Sequence, residues 1–308
     1  MTAGEMGRLF RAVDWVRLGR ILVTSVSGAA FRDMLRATFR GIAVEDLPIP
    51  FAAVCGDLDT GETVVMASGD VADAVAAQLE FARQEVLKYK DHPALLGWII
   101  GNEPNLHFRN PKVFDAINDI SKMIHELDPN HPTTTALAGI NQELADLIEQ
   151  RAPDLDFISI QMYGDLVNLP RYIKKIGLEG PYMVTEWGAI GHWEVGTTKW
   201  GAPIEQNSSD KAANYRKSWN VAIASDPKQI IGSYVFLWGQ KQERTPTWYG
   251  MLLEDGSKTE TIDVMHMLWT GSWPENRAPQ VRSLHLDGKR AEANIILDAG
   301  SDYTAEIK

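Results

Sequence analysis

The sequence has little of what staples or ligates a chain. Its one cysteine, Cys55, excludes an internal disulfide and any multi-cysteine metal site. No apolar run approaches the roughly 18 residues of a membrane-spanning helix. None follows the first basic residues as a secretory signal would require, so a cytoplasmic location is expected. Positive charge is short: 30 Lys and Arg stand against 41 Asp and Glu, and the net charge of −11 argues against nucleic acid as a partner. The 7 histidines are scattered without metal-ligand spacing, and Asp255-Gly256-Ser257-Lys258-Thr259 lacks the leading glycine of a phosphate loop. Neither a metal nor another cofactor is therefore expected. Lysine is missing from residues 1–77, where the basic residues are arginine alone, and every lysine follows. Tryptophan is skewed too, with only Trp15 outside the stretch from Trp98 to Trp273.

The 308 residues, 44% apolar and 23% charged, suffice for one large globular domain or two medium ones. Helical stretches are expected over Phe10–Leu22 and Ala29–Thr38, followed by a hairpin from Phe51–Val54 and Thr63–Ala67 around the turn residues Asp59-Thr60-Gly61-Glu62. Asp70 is a candidate N-cap. Val71, Val75, Leu79, Ala82 and Val86 then form one apolar helical face that ends near Tyr89-Lys90. The lysine-free composition stops inside that helix, near residue 77.

Beyond it, apolar strands alternate with helices. Strands are expected over Leu95–Gly101, Thr133–Ala138, Asp156–Gln161, Tyr182–Thr185 and Ile231–Trp238. Helices are expected over Val113–Leu127, Gln142–Gln150, Tyr172–Ile176, Lys211–Ala224 and Thr261–Thr270. Such alternation indicates parallel βα units, without deciding between a barrel and an open sheet. After Trp273-Pro274 the pattern turns to β, with strands expected over Val281–Leu286 and Ala293–Leu297 and a turn at Asp287-Gly288.

Two strand ends carry the chemistry. Gly97-Trp98-Ile99-Ile100-Gly101 runs into Asn102-Glu103-Pro104, and Tyr182-Met183-Val184-Thr185 runs into Glu186-Trp187-Gly188. In parallel α/β folds the carboxyl ends of strands face the ligand site. A glutamate there, beside apolar and aromatic residues, suits acid–base or nucleophilic work. The competing reading of either one alone is a capping or salt-bridged surface glutamate.

These motifs resemble the TIM-barrel catalytic domain of family 2 glycoside hydrolases, members of a large retaining clan, over about residues 78–270. The fold implied is α/β, a partial (β/α)8 barrel holding strands four to eight. The resemblance implies Glu103 as acid/base and Glu186 as nucleophile, with Asn102 on the sugar 2-hydroxyl and Tyr163 hydrogen-bonded to the nucleophile. Gln161 stands where relatives often have a histidine. Trp238, at the end of strand eight, is expected under the sugar, with Trp187 as a further substrate contact. Trp193, Trp200 and Trp248 are candidates for outer subsites. His107 and His192 follow the two glutamates and are expected to be solvated loop residues. The implied activity is retaining hydrolysis of a β-linked oligo- or polysaccharide; the alternative is a non-catalytic sugar-binding chain.

Residues 14–77 resemble part of a bacterial patatin-like phospholipase, on Leu47-Pro48-Ile49-Pro50-Phe51, Asp57-Leu58-Asp59-Thr60-Gly61-Glu62 and Ser68-Gly69-Asp70. The Gly-x-Ser-x-Gly elbow and the Asp-Gly-Gly/Ala motif of that family's dyad are both missing, so acyl hydrolysis is disfavoured. The expected organisation is a patatin-like α/β segment over 1–77, the partial barrel over 78–270, and a short β-hairpin segment over 271–308.

Overall fold

The computed structural model describes residue 43 and residues 53–56, 63–66, 71–106, 110–281, 283–290 and 293–308. The helices expected over Phe10–Leu22 and Ala29–Thr38, and the cap at Asp70, lie outside the described residues. The chain forms two compact units, Met1–Thr135 with Asp146–Asp156, and Ala136–Ala145 with Phe157–Lys308.

In the first unit, β1 (Ala53–Gly56) and β2 (Thr63–Met66) pair antiparallel as the expected hairpin, Ala53 opposite Met66. Helix α1 (Val71–Tyr89) runs through residue 78 unbroken, so the change in composition falls inside one element. Helix α2 (Lys112–Leu127) buries Phe114, Ile117 and Ile124 with Asn118 and Ser121 on the same stripe. The two polar members are satisfied. Asn118 exchanges hydrogen bonds with Asp154 at 2.8 and 2.9 Å, and the Ser121 hydroxyl donates to the Asp154 carbonyl at 2.8 Å.

Strand β3 (Trp98–Asn102) begins where the Trp98 N–H donates to the Pro132 carbonyl at 2.8 Å. A Cβ on Gly97 would lie 2.9 Å from that carbonyl oxygen, so the close approach needs glycine. The Trp98 indole donates to buried Asp128 at 2.9 Å. Burial alone would push the Asp128 carboxyl up, but hydrogen bonds from Trp98, His131 and the Asn130 N–H hold it below its ordinary value. Asp156 is likewise held low against its partial burial, by the Thr133 N–H, His125 and the Thr133 hydroxyl.

Strand β4 (Thr133–Ala138) starts in the first unit and ends in the second. It belongs to a five-stranded sheet whose order follows the chain: β3, β4, β5 (Ile158–Gln161), β6 (Tyr182–Gly188), β7 (Ile230–Phe236). The pairs β4–β5, β5–β6 and β6–β7 are parallel. Helices alternate with strands as expected: α3 (Gln142–Arg151), α4 (Leu169–Ile176), α5 (Ser208–Ser218) and α6 (Glu260–Thr270). α4 opens with Pro170 in its first turn and ends at Gly177, whose φ of 67° is the left-handed cap. α5 starts three residues ahead of the expected Lys211. The Asn207 side chain accepts from the Ser209 and Asp210 N–H groups and fixes the start there. The helix continues as a π-helical turn over Trp219–Ile223.

Register breaks where β6 meets both neighbours. Ile160 stands opposite Val184, but Gln161 stands opposite Glu186, so β6 carries an extra residue before Glu186. The β6–β7 ladder skips between Val184 and Trp187 as well. A bulge of this kind re-aims the side chain that follows it. The core of this unit holds Leu137, Ile160, Val184, Trp187, Leu166, Leu169 and Met251, all fully buried.

The C-terminal hairpin differs from expectation. Asp287 and Gly288, with φ of 48° and 71°, form a tight turn that brings Leu286 and Lys289 together, as the Asp-Gly pair demands. β8 (Leu284–Leu286), however, pairs antiparallel with β9 (Ala305–Ile307), and no strand forms over Asn294–Leu297. Ile296 is exposed, so the apolar run that suggested a strand has no face to cover.

Candidate active site

Glu186 sits on the bulged end of β6, half-buried, and the Tyr163 hydroxyl donates to its Oε1. Tyr163 follows β5 by two residues and is itself buried. The parallel β5–β6 pairing brings it there, with the Met162 N–H donating to the Glu186 carbonyl at 2.9 Å. One carboxylate oxygen is thus oriented by a phenol.

Aromatic rings wall this pair. Tyr163 makes edge contacts with Trp193 at 5.4 Å, Tyr249 at 5.6 Å and Phe236 at 6.1 Å. The Tyr249 hydroxyl accepts from the His192 N–H at 3.2 Å and lies 2.9 Å from His192 Nδ1. Burial pushes that phenol up to about 12; the His192 N–H opposes this, while the Glu243 and Glu194 carboxylates add to it. Tyr249 therefore stays protonated at any ordinary pH. Lys241 stands over the Phe236 ring at 5.1 Å and pairs with Glu243 at 2.6 Å, so charge of both signs edges the cluster. Among the described residues no group of three or more His, Cys, Asp and Glu could hold a metal ion.

Of the residues expected from the sequence, Tyr163 and Glu186 are brought together. Asn102 ends β3, exposed, and half-buried Glu103 follows it; both belong to the first unit, whereas Glu186 belongs to the second. Glu103 has a φ of 49°. A non-glycine residue in this left-handed region costs of order 1–3 kcal/mol and persists where its surroundings enforce it, a pattern concentrated at functional sites. Trp238 lies just past β7 and is 63% exposed.

Trp187 corrects the expectation. It is fully buried against Tyr215 at 5.5 Å and Trp219 at 6.2 Å and has no surface to offer a sugar. Trp248 is also buried, its indole donating to the Ile190 carbonyl at 3.0 Å, so it cannot line an outer subsite. Trp193 and Trp200 are exposed. His192 is tied to Tyr249 rather than solvated, and His107 lies outside the described residues. Sequence reading missed Phe236 and Tyr249. Phe236 was within reach, because it stands two positions before Trp238 in the run Ile231–Trp238 expected as a strand.

The sequence matches the model of glycosyl hydrolases family 2, TIM barrel domain, over residues 52–219. The chain belongs to that family. The family 2 match begins ahead of residue 78 and so takes in the β1–β2 hairpin. Similar solved structures include a β-D-glucuronidase of Dictyoglomus thermophilum, 15% identical with a TM-score of 0.48, covering 64% of this chain and 36% of that one. An FMN-binding β-glucuronidase from Facaelibacterium prausnitzii L2-6 is 16% identical with a TM-score of 0.46, covering 67% and 34%. The GH53 catalytic domain of Ignisphaera aggregans is 13% identical with a TM-score of 0.44, covering 62% and 66%. The family 2 chain thus spans about a third of the length of the two glucuronidases. No curated protein matches it. No helix among the described residues is long and apolar enough to cross a membrane.

Proposed function

We propose that the chain is a retaining β-glycoside hydrolase acting on an oligo- or polysaccharide. Glu186 attacks the anomeric carbon and the bond to the departing oxygen breaks, with Glu103 donating the proton that oxygen needs. Glu103 then takes a proton from water, which attacks the same carbon and releases Glu186. Asn102 holds the sugar 2-hydroxyl, a contact that strengthens as the oxocarbenium-like transition state forms. Trp238 offers an open aromatic face to the C–H side of a sugar ring. The observation that carries this reading is the Tyr163 hydroxyl on the Glu186 carboxylate, at a strand end walled by aromatic rings.

A panel of 2-deoxy-2-fluoro glycosyl fluorides with gluco, galacto, manno and glucurono configuration tests it. A mass increment on the peptide containing Glu186 is expected with at least one reagent, and none with Glu186→Gln. Tyr163→Phe removes a hydrogen bond to a charged group and should slow labelling by about 10–100-fold. No labelling by any reagent overturns the reading. If saccharides still quench tryptophan fluorescence in that case, the non-catalytic binding alternative takes its place.

A further inference from the structure

One carboxylate beside this cluster has no part in the proposed reaction and yet touches both loops that build it. Glu194 Oε2 accepts from the Gly164 N–H at 2.7 Å and the Gly191 N–H at 2.8 Å, and its Oε1 accepts from the Asp165 N–H at 3.0 Å. Gly164 and Asp165 open the 3-10 helical turn Gly164–Asn168 in the connection after β5; Gly191 lies in the loop after β6. A Cβ at Gly164 or at Gly191 would stand 3.0 Å from Oε2, so glycine at both positions lets the carboxylate come this close. Residue 194 is exposed, so its carboxylate is not part of the hydrophobic core.

The tied amides adjoin the residues that matter. Tyr163 precedes Gly164, His192 follows Gly191, and Trp193 precedes Glu194 itself. Tyr163 reaches Glu186, Trp193 packs edge-on against Tyr163, and His192 meets Tyr249. Charge-assisted bonds of this kind are roughly twice as strong as neutral ones. Three of them converge on one side chain and tie the segment after β5 to the loop after β6.

We propose that Glu194 is a positioning residue, whose carboxylate clamps the loops after β5 and β6 and thereby sets the Tyr163 phenol on Glu186 with Trp193 beside it. The inference rests on the reading of Glu186 as nucleophile. A glutamate that merely stabilised a surface loop would affect melting without acting on the chemical step. A clamp on Tyr163 acts on the step itself, because misplacement by about 1 Å can cost about 100-fold in rate.

The test uses the full chain as wild type, Glu194→Ala and Glu194→Gln. Amide hydrogen exchange is followed by mass spectrometry over residues 161–168 and 188–196. The same proteins are treated with the fluoroglycoside that labels the wild type, and the limiting rate is separated from half-saturation. Glu194→Ala should exchange faster in both segments and label at least about tenfold more slowly at saturation, with half-saturation moving less than about threefold. Glu194→Gln keeps one acceptor oxygen and should recover most of the rate, which covers the case in which the alanine variant folds poorly. Unchanged exchange in Glu194→Ala overturns the inference, and so do loosened loops with a wild-type limiting rate. If the wild type takes up no label, the nucleophile reading itself falls; that failure is distinct, because it appears before any variant is compared.

Discussion

A methyl group added at Gly188 would stand 2.3 Å from the Phe236 carbonyl oxygen and 2.9 Å from the Tyr215 hydroxyl. The first atom is backbone of β7 and the second belongs to a buried ring on α5, so neither yields cheaply. Gly188→Ala should therefore destabilise the fold by about 1–3 kcal/mol through overpacking. Urea unfolding checks this, and a wild-type midpoint would mean that β6 and β7 can part without cost. Phe236 also touches Tyr163, so the same variant should label more slowly with the fluoroglycoside. At this scale the sequence was partly legible. Tyr163 and Glu186 both stand at or just past strand signals, and it was the family resemblance that implied their pairing. Trp187 could have been excluded by alternation, since neighbouring residues of a strand point to opposite faces. If Glu186 faces a cleft, Trp187 faces the helices, where it lies against Tyr215 and Trp219. The roles of Glu194 and Tyr249 were not legible, because each depends on loops that meet only in the folded chain.

Titrating groups on helix α2 and beside it have opposite consequences. Burial pushes the Asp119 carboxyl up to about 6, with Lys122 opposing and Asp115 and Asp154 adding to the rise. A folded value above the unfolded one, about 4, gives a contribution that is complete below about pH 4 and lost as pH rises through about 6. Asp119→Asn should therefore melt above the wild type at pH 8, and the gap should close by pH 4. An equal gap at both pH values would refute the titration as its source. Asp128 and Asp156 act in the other direction. Their values are depressed, so their contribution is present above about pH 4 and disappears as pH falls through the folded values. Differential scanning calorimetry at falling pH should show the wild type losing stability there, with Asp128→Asn less sensitive to that drop. Most elements at this scale were legible from periodicity, and β4 matches its expected bounds. The register break in β6 was not, because a bulge depends on both neighbouring strands. The pairing of β8 with β9 was hidden for a related reason: the turn is local chemistry, whereas the choice of partner strand is a long-range one.

The alternation of strand and helix beyond residue 90 pointed to parallel βα units, and the chain-order sheet with its three parallel pairs is their outcome. Alternation cannot say how far such a sheet extends. Strand β7 is one end of the order and exposes Ile231 at 53% and Tyr234 at 51%. An end strand with apolar side chains in water is a template for pairing with another chain. Ile231→Lys should lower concentration-dependent light scattering while leaving the melting temperature within about 1 °C, since a half-exposed side chain contributes little packing. Scattering equal to the wild type would place any self-association elsewhere. Family membership rests on residues 52–219, which hold the candidate acid and nucleophile but not β7 or Trp238.

The extra residue in β6 makes length, more than identity, the guarded quantity between Val184 and Trp187. Removing one residue there would restore an even ladder and so tighten the sheet. It would also undo the local re-aiming that the bulge gives the Glu186 side chain. Replacement at Thr185 keeps the count and with it the aim of Glu186. The letters of this stretch are therefore freer to change than its length, since a deletion that evens the ladder also loses the aim of the Glu186 carboxylate at the Tyr163 hydroxyl.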